Sequence, residues 1–280
     1  MTAPRQIGGL AEIADGFDAM LFDQFGVLHD GRRAFPGAVT VLEALAERGI
    51  PVAVLSNSGK RAAANAARFG ALGFHARLFG HVVTSGELAR AELELRLAQG
   101  SLAPGAAVSL IARGGDGGLF DGLALRPVPP GPETTLLIIA GTEPERIARD
   151  DLAAALAPLA ARGVPALCIN PDREIYIEGG SGYGPGALAE TYRSAGGPLR
   201  VLGKPGAEMF RAGLAALGAP DPAKVLMVGD SPEHDIAGAR AAGCATLLVA
   251  GGVQAGLAGG AFADFVIDRL VWRARDTKAI

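Results

Sequence analysis

Short apolar runs alternate with longer segments of helical periodicity along most of the chain. The run at residues 19–22 is too short for a helix and leads into Asp23 and then Gly26, a pattern typical of a buried strand that ends in a turn. Residues 38–48 carry apolar side chains at helical spacing, and residues 51–55 form another apolar run. This order of strand, helix and strand predicts an α/β fold with a Rossmann-like parallel sheet.

The middle of the chain predicts a separate α/β unit inserted into this fold. Apolar runs at residues 107–112 and 135–140 are separated by a glycine-rich and a proline-rich stretch, which changes the spacing of the elements. The strand–helix alternation resumes after them. We therefore expect a core domain built from residues 1–84 and 198–280, with an α/β cap domain at residues 85–197.

A glycine cluster at residues 179–186 invites comparison with phosphate-binding loops. It lacks a preceding long apolar strand and the expected acidic residue downstream, so the cluster alone is weak evidence for such a loop. We interpret it as a flexible entry to a helix at residues 187–195. A short apolar run at residues 199–202 then predicts a strand of the core domain.

Composition narrows the class of protein. The chain has 280 residues, of which 49% are hydrophobic, and this is ample for a sizeable core. No apolar run approaches the roughly 18 residues of a membrane span, and residues 1–15 do not resemble a signal peptide, so we expect a cytoplasmic protein without membrane partners. Cys168 and Cys244 lack metal-ligand spacing. The net charge of -3 is spread without a basic stripe, so we expect no nucleic-acid partner.

Polar side chains follow several of the predicted strands. Asp23 ends one strand, Ser56 and Asn57 end the next, and Lys204 and Asp230 follow later strands. Each residue taken alone is compatible with an ordinary turn. In open α/β sheets, however, ligands bind outside the carboxyl ends of the strands. Two carboxylates brought together there require a cation, and oxygen ligands suit Mg²⁺. A phosphoryl group would satisfy the cation, the hydroxyl and the ammonium together.

These strand ends carry a set of motifs that resembles a known family. The motifs are Asp23-Gln24-Phe25-Gly26-Val27, Leu55-Ser56-Asn57-Ser58, Gly203-Lys204-Pro205, and Gly229-Asp230-Ser231 with Asp235. In order and context they resemble those of the haloacid dehalogenase (HAD) superfamily of aspartate-nucleophile phosphohydrolases, over almost the whole chain. The insertion is similar to the C2-type α/β cap of subfamily IIA, the NagD-like proteins, which contains nucleotide-monophosphate and pyridoxal- or glycolate-phosphate phosphatases.

The resemblance implies a role for each residue that matches a motif. Asp23 would attack phosphorus and form an aspartyl-phosphate, and Lys204 would balance charge between this nucleophile and the phosphate. Ser56 would hydrogen-bond a phosphoryl oxygen, and Asn57 and Ser58 would line the phosphate site.

The resemblance also implies a Mg²⁺ site. The carboxylates of Asp23 and Asp230 would hold the metal together with the backbone carbonyl of Phe25. Asp235 would orient the metal's waters and ligands from outside the coordination sphere.

Phe25 is the departure from the family pattern. Typical phosphatases of the superfamily carry an aspartate there that protonates the leaving group, and phenylalanine cannot move a proton. Two function classes follow. One is a Mg²⁺-dependent phosphatase that is slow, restricted to good leaving groups, or assisted by His29, Asp30 or His234. The other is a non-catalytic protein that binds a phosphometabolite. The partner would be a small phosphorylated metabolite, such as a sugar phosphate or nucleotide. The sequence leaves open the identity of that metabolite and the oligomeric state, a homodimer included.

Overall fold

The computed structural model describes residues 3–115, 118–178, 180–251 and 263–273. They form two compact units. The core unit comprises the described residues of Met1–Ser56, Asn65–Val83 and Lys204–Ile280, and the inserted unit comprises those of Asn57–Ala64 and Thr84–Gly203. The short segment 57–64 thus groups with the inserted unit. The α/β fold class is confirmed, whereas the expected domain limits stay a prediction.

The regular elements within the described ranges are as follows. The strands are β1 (Arg5–Gln6), β2 (Ala19–Phe22), β3 (Val52–Ser56), β4 (His81–Thr84), β5 (Ala106–Ile111), β6 (Leu125–Pro127), β7 (Leu136–Ile139), β8 (Ala166–Cys168), β9 (Glu174–Ile177), β10 (Gly180–Tyr183), β11 (Leu199–Val201), β12 (Val225–Gly229), β13 (Ala245–Val249) and β14 (Phe265–Ile267). The α-helices are α1 (Ala38–Glu47), α2 (Ala62–Ala71), α3 (Ser85–Ala98), α4 (Arg149–Ala161), α5 (Pro185–Ser194), α6 (Ala207–Ala216) and α7 (Ala237–Ala241), and a π-helix at Pro232–Ile236 precedes α7.

The sheet of the core unit has the strand order β1-β14-β13-β12-β2-β3-β4 among the described residues. β2 pairs in parallel with β12 on one side and with β3 on the other. Its residues are buried throughout, as expected of a strand covered on both faces. Met20 and Phe22 pack in one hydrophobic cluster with Val41 and Leu45 of α1. On the opposite face, Gly213 of α6 lies so close to Leu55 that an added Cβ would approach it to 2.7 Å.

The inserted unit has its own parallel sheet, in the order β11-β8-β7-β5-β6. β7 shows why this sheet needs helices on both faces. Its residues Leu136 and Ile138 belong to one hydrophobic cluster, whereas Leu137 and Ile139 belong to another. Successive side chains of a strand point to opposite faces, so this continuous apolar run fills two layers at once.

Two predicted elements of this region are wrong. Residues 180–183 are not a flexible entry to a helix but strand β10, paired antiparallel with β9; Gly179 lies outside the described residues. A hairpin of this kind is held by backbone hydrogen bonds, which a glycine-rich sequence can form without any apolar periodicity. β11 is also not a strand of the core sheet, because it pairs with β8 of the inserted unit.

No helix in the described part of the chain is long and apolar enough to cross a membrane. The expected cytoplasmic location stays a prediction.

Candidate active site

Three aspartates meet at the carboxyl ends of two neighbouring strands. Asp23 directly follows β2 and Asp230 directly follows β12, and the parallel register pairs Phe22 with Val228. Asp235 lies in the π-helix that begins two residues after Asp230. All three are buried, and one carboxylate oxygen from each lies within 4.8 Å of the others. We call Asp23, Asp230 and Asp235 the carboxylate cluster.

Lys204 connects two members of this cluster. Its Nζ donates to Oδ1 of Asp23 at 2.6 Å and to Oδ1 of Asp235 at 2.7 Å, and the residue is 3% exposed. The other oxygen of Asp235, Oδ2, accepts from the backbone N–H of Ser231 at 3.0 Å. The turn at Gly203, which has φ +120°, leads the chain directly into Lys204. Three of the four motifs thus bring one ammonium and three carboxylates together.

The charges of this group do not balance. Burial raises the pKa of Asp23 well above its usual range, Lys204 lowers it, and Asp235 and Asp230 raise it further. Burial alone would lower the pKa of Lys204, but Asp23 and Asp235 outweigh this and raise it, so the lysine stays charged. A single ammonium cannot neutralise three buried carboxylates. A cation beside Asp23 and Asp230 would therefore stabilise the site.

Two glycines allow the carboxylates to come this close. At Gly26, with φ +92°, an added Cβ would lie 2.1 Å from Oδ2 of Asp230. At Gly229, an added Cβ would lie 2.2 Å from Cβ of Asp235. Any side chain at either position would displace an aspartate, because real Cβ contacts are never this short.

The donor set fits Mg²⁺. Hard carboxylate oxygens are the ligands that Mg²⁺ prefers, usually from one or two side chains with waters completing the octahedron. Asp23 and Asp230 can supply these oxygens. Both oxygens of Asp235 already accept hydrogen bonds, from Lys204 and Ser231, which fits the outer, orienting role expected for this residue. Coordination by the backbone carbonyl of Phe25 stays a prediction.

Ser56 is held by a residue that sequence reasoning missed. Ser56 ends β3 and is 2% exposed, and its Oγ accepts a hydrogen bond from Nε2 of Gln24. The same Nε2 donates to Oδ1 of Asn65, on the buried face of α2, at 3.2 Å. Asn65 stands four residues before the buried Phe69. A polar residue at an apolar position of this helix was therefore a signal in the sequence.

Asn57 and Ser58 lie in the inserted unit. Nδ2 of Asn57 donates to Oδ1 of Asp172 at 2.9 Å, and Oγ of Ser58 accepts from the backbone N–H of Lys60 at 3.3 Å. Their expected place beside the phosphate stays a prediction.

Phe25 belongs to an aromatic cluster. Its ring lies edge-on to the imidazole of His29, with centroids 6.0 Å apart, and His29 in turn lies 5.5 Å from the ring of Phe69. We call Phe25, His29 and Phe69 the aromatic cluster. The side chain of Phe25 thus packs within a group of aromatic rings in the core unit.

His29, the first of the three candidates for proton transfer, is buried. Burial, with a further contribution from Arg68, lowers the pKa of His29 to about 4. Its Nδ1 accepts from the backbone N–H of Gly31 at 3.0 Å, and its Nε2 is buried without a hydrogen-bond partner among the described residues. An imidazole in this setting is a poor proton carrier at neutral pH.

The other two candidates for proton transfer also serve local structure. Asp30 accepts hydrogen bonds from the backbone N–H groups of Arg32 and Arg33, which lower its pKa. The backbone N–H of His234 donates to Oγ of Ser231 at 3.1 Å, at the start of the π-helix. Neither observation assigns a proton-transfer role.

The segments that carry these site residues match models of a known protein family. Residues 20–111 match the family model for haloacid dehalogenase-like hydrolases, and residues 201–272 match a second model described as HAD-hydrolase-like. Chronophin from Rattus norvegicus is 33% identical over 254 residues, which cover 88% of this chain and 80% of chronophin.

Two solved structures show the same similarity. A haloacid dehalogenase-like hydrolase from Brucella suis 1330 superposes with a TM-score of 0.84 at 25% identity, covering 95% of this chain and all of that one (100%). The glycerol phosphate phosphatase of Mycobacterium tuberculosis, solved in complex with magnesium, has a TM-score of 0.67 at 28% identity over 91% of this chain and 76% of that chain. The chain therefore belongs to the haloacid dehalogenase-like hydrolases.

Proposed function

We propose that this protein is a Mg²⁺-dependent phosphatase that acts on a small phosphorylated metabolite through an aspartyl-phosphate on Asp23. The observation that carries the proposal is the ion pair of Lys204 with Asp23 inside the buried carboxylate cluster. A nucleophile, a charge-balancing ammonium and a metal-binding pair of carboxylates are the parts that phosphoryl transfer requires.

The proposed reaction has two steps. A carboxylate oxygen of Asp23 attacks phosphorus, the bond from phosphorus to the ester oxygen breaks, and the leaving group departs with the electron pair of that bond. Water then attacks the phosphorus of the aspartyl-phosphate, which releases inorganic phosphate, yields a proton to solvent and restores the carboxylate. Each step needs the attacking oxygen, the phosphorus and the leaving oxygen to lie in line. The attacking oxygen belongs to Asp23 in the first step and to water in the second.

The surrounding groups supply charge and orientation. Lys204 balances charge between Asp23 and the phosphoryl oxygens, and Ser56 donates a hydrogen bond to one of them. Mg²⁺ bound by Asp23 and Asp230 would neutralise the charge that spreads over the phosphoryl oxygens. Asp235 keeps Lys204 in place through the bond between its Oδ1 and the lysine Nζ.

Phe25 restricts the proposed chemistry. No proton donor occupies position 25, so a leaving group that is stable as an anion, such as a phenolate or carboxylate, would depart much more easily than an alkoxide. Positioned proton transfer is typically worth about 10² to 10⁴ in rate. The relative from Mycobacterium tuberculosis acts on glycerol phosphate by its name. That alkyl ester is therefore a natural first substrate to compare with p-nitrophenyl phosphate.

The test is hydrolysis of p-nitrophenyl phosphate with and without Mg²⁺ by the native protein and by Asp23→Asn. Removing the nucleophile should lower kcat by at least about 10³-fold, as removal of catalytic nucleophiles commonly does. Ser109→Ala is a matched control, because Ser109 is a buried polar residue of the inserted unit's sheet, bonded to Thr134. Turnover that persists in Asp23→Asn would refute the proposal. Absence of turnover in native protein that still binds phosphate would favour the non-catalytic alternative.

A further inference from the structure

Ser231 is a buried polar residue whose hydroxyl the proposed chemistry does not use. It directly follows Asp230, just beyond the end of β12, and it is 4% exposed. Its backbone is extended, with φ −100° and ψ 113°, and the π-helix at Pro232–Ile236 begins at the next residue. Ser231 is therefore the N-cap residue of the helix that carries Asp235.

The side chain of Ser231 closes the first turn of this helix. Its Oγ accepts a hydrogen bond from the backbone N–H of His234 at 3.1 Å. A backbone N–H is a donor, so the direction of this bond is fixed. The first N–H groups of a helix have no carbonyl partner within it, and serine is one of the preferred residues for supplying an acceptor from the N-cap position.

Asp235 returns a hydrogen bond to the same residue. Its Oδ2 accepts from the backbone N–H of Ser231 at 3.0 Å, and the carbonyl oxygen of Ser231 accepts from the backbone N–H groups of Asp235 at 2.9 Å and Ile236 at 3.1 Å. Such reciprocal bonds form a capping box, in which the acidic side chain usually stands three residues after the serine. Here it stands four residues after, in a helix with the wider π turn. We call Ser231 and Asp235 the reciprocal cap.

The reciprocal cap determines where the second oxygen of Asp235 points. At Gly229 an added Cβ would lie 2.2 Å from Cβ of Asp235, so close packing against β12 already limits the position of this Cβ. The carboxylate can still rotate, and the bond from the N–H of Ser231 to Oδ2 restricts that rotation. The hydroxyl of Ser231 holds the turn in which this N–H faces the carboxylate.

The oriented oxygen contacts Lys204. Oδ1 of Asp235 accepts from Nζ of Lys204 at 2.7 Å, and the same ammonium donates to Oδ1 of Asp23 at 2.6 Å. All three side chains are buried, where hydrogen bonds between charged groups are stronger than in water. The contacts thus form one path from Ser231 through Asp235 and Lys204 to the proposed nucleophile.

We propose that Ser231 is a positioning residue whose hydroxyl holds the turn that aims Asp235 at Lys204, and so places the ammonium for the phosphoryl group. The inference rests on the proposed function, because it takes Lys204 as a ligand of the phosphoryl oxygens. Ser231 acts through Asp235 and Lys204 and does not need to touch the phosphate.

The experiment measures the affinity for inorganic phosphate by titration calorimetry at saturating MgCl₂. Ser231→Ala removes the cap and should weaken phosphate binding about fivefold, a part of the effect of one hydrogen bond to a charged group. In the Lys204→Met background the same substitution should change the affinity less than twofold, because no ammonium remains to be positioned. Ser231→Thr keeps a hydroxyl and should bind phosphate within about twofold of the native protein.

Thr84→Ala is the matched control for the loss of a cap. Thr84 is buried at the N-cap of α3, and its Oγ1 accepts from the backbone N–H of Glu87 at 3.1 Å, so it makes the same kind of bond within the inserted unit. Both alanine variants should lower the melting temperature by a few degrees. Only Ser231→Ala should weaken phosphate binding.

Two further variants cover a failure to fold. Ser231→Gly removes the same hydroxyl with a smaller loss of stability than alanine causes at an N-cap, and it should weaken phosphate binding in the same way. Asp235→Ala can replace Lys204→Met as the second background, because it breaks the same path one step earlier.

The outcomes that overturn the inference are distinct. An equal loss of affinity from Ser231→Ala in both backgrounds would mean that Ser231 does not act through Lys204. An equal loss in Thr84→Ala, or no recovery in Ser231→Thr, would reduce the effect to lost stability. Unchanged affinity in Ser231→Ala, while Lys204→Met weakens binding, would overturn the inference and leave the proposed function standing. Unchanged affinity in Lys204→Met would overturn the inference together with the proposed role of Lys204.

Discussion

The carboxylate cluster and the aromatic cluster each include a residue from the turn after β2, Asp23 and Phe25. The two clusters differ in the charge of their buried ionisable groups. In the carboxylate cluster, Lys204 is buried as a charged group because two carboxylates accept its hydrogen bonds at 2.6 and 2.7 Å. In the aromatic cluster, His29 is buried with no charged partner bonded to it among the described residues, and burial lowers its pKa to about 4.

The difference shows where chemistry can take place. Buried charges are retained only where partners stabilise them, so the carboxylate cluster can hold a nucleophile and a cation. The aromatic cluster excludes charge, and Phe25 belongs to it through its contact with His29. The proposed site therefore keeps its nucleophile and its metal-binding carboxylates, whereas position 25, where typical family members carry a proton carrier, is apolar.

The largest effect is expected from placing a carboxyl group in the aromatic cluster. Phe25→Asp should accelerate hydrolysis of alkyl phosphates by about 10²-fold or more and leave aryl phosphates much less affected, because an alkoxide leaving group needs a proton and a phenolate does not. The measurement is kcat/KM for glycerol 3-phosphate and p-nitrophenyl phosphate side by side.

Phe25→Leu serves as the control, since it removes the ring without adding a proton carrier. The hypothesis fails if native protein already hydrolyses alkyl phosphates well and Phe25→Asp does not change that rate.

The next effect concerns the stability that neutral His29 contributes. Its pKa falls from an ordinary 6.5 to about 4 on folding, so between these values the unfolded chain binds more protons than the folded one. Stability is therefore complete above about pH 6.5 and is lost as pH falls towards 4. The loss should reach about 3 kcal/mol, because each tenfold difference in proton affinity between the two states is worth about 1.36 kcal/mol.

Urea unfolding at a series of pH values from 7 to 4 measures this loss. His29→Asn keeps an acceptor for the N–H of Gly31 and removes the titration, so its free energy of unfolding should vary less over the same range. If the free energy of unfolding depends equally on pH in the native protein and in the variant, carboxylates and not His29 cause the loss of stability at low pH.

The smallest effect is expected on metal binding at the carboxylate cluster. Mg²⁺ that binds only the folded protein should raise its melting temperature. At a Mg²⁺ concentration of one hundred times the dissociation constant, the free energy of unfolding should increase by about 2.7 kcal/mol. Asp230→Ala should abolish this rise. Asp15→Ala, at an exposed aspartate, should preserve it. A rise of the same size in Asp230→Ala would place the metal elsewhere.

The parts of the fold and site that the sequence predicted are those with a local signal. Apolar runs followed by Asp23, Ser56 and Asp230 predicted parallel strands with polar ends. Buried strands and turns both have characteristic residues close together in the sequence. β10 was missed because its glycines carry no periodicity, and β11 was assigned to the wrong sheet because pairing partners far apart in sequence leave no such mark.

The contacts of the site were less predictable than its residues. The bond from Gln24 to Ser56 joins side chains 32 positions apart, and nothing local to either residue indicates it. The low pKa of His29 is likewise a property of burial against Phe25 and Phe69, not of the turn in which the histidine stands.

The position of β12 between β13 and β2 has a consequence for how the protein is made. β2 and β3 leave the ribosome early, but the strand that covers the other edge of β2 is synthesised about two hundred residues later. At the usual 5–20 residues per second this is a wait of about 10 to 40 s, long enough for the sheet from β5 to β11 to close in the meantime. Until Val225–Gly229 arrives, β2 exposes an unpaired apolar edge, so the nascent chain is vulnerable to aggregation throughout the synthesis of its inserted unit.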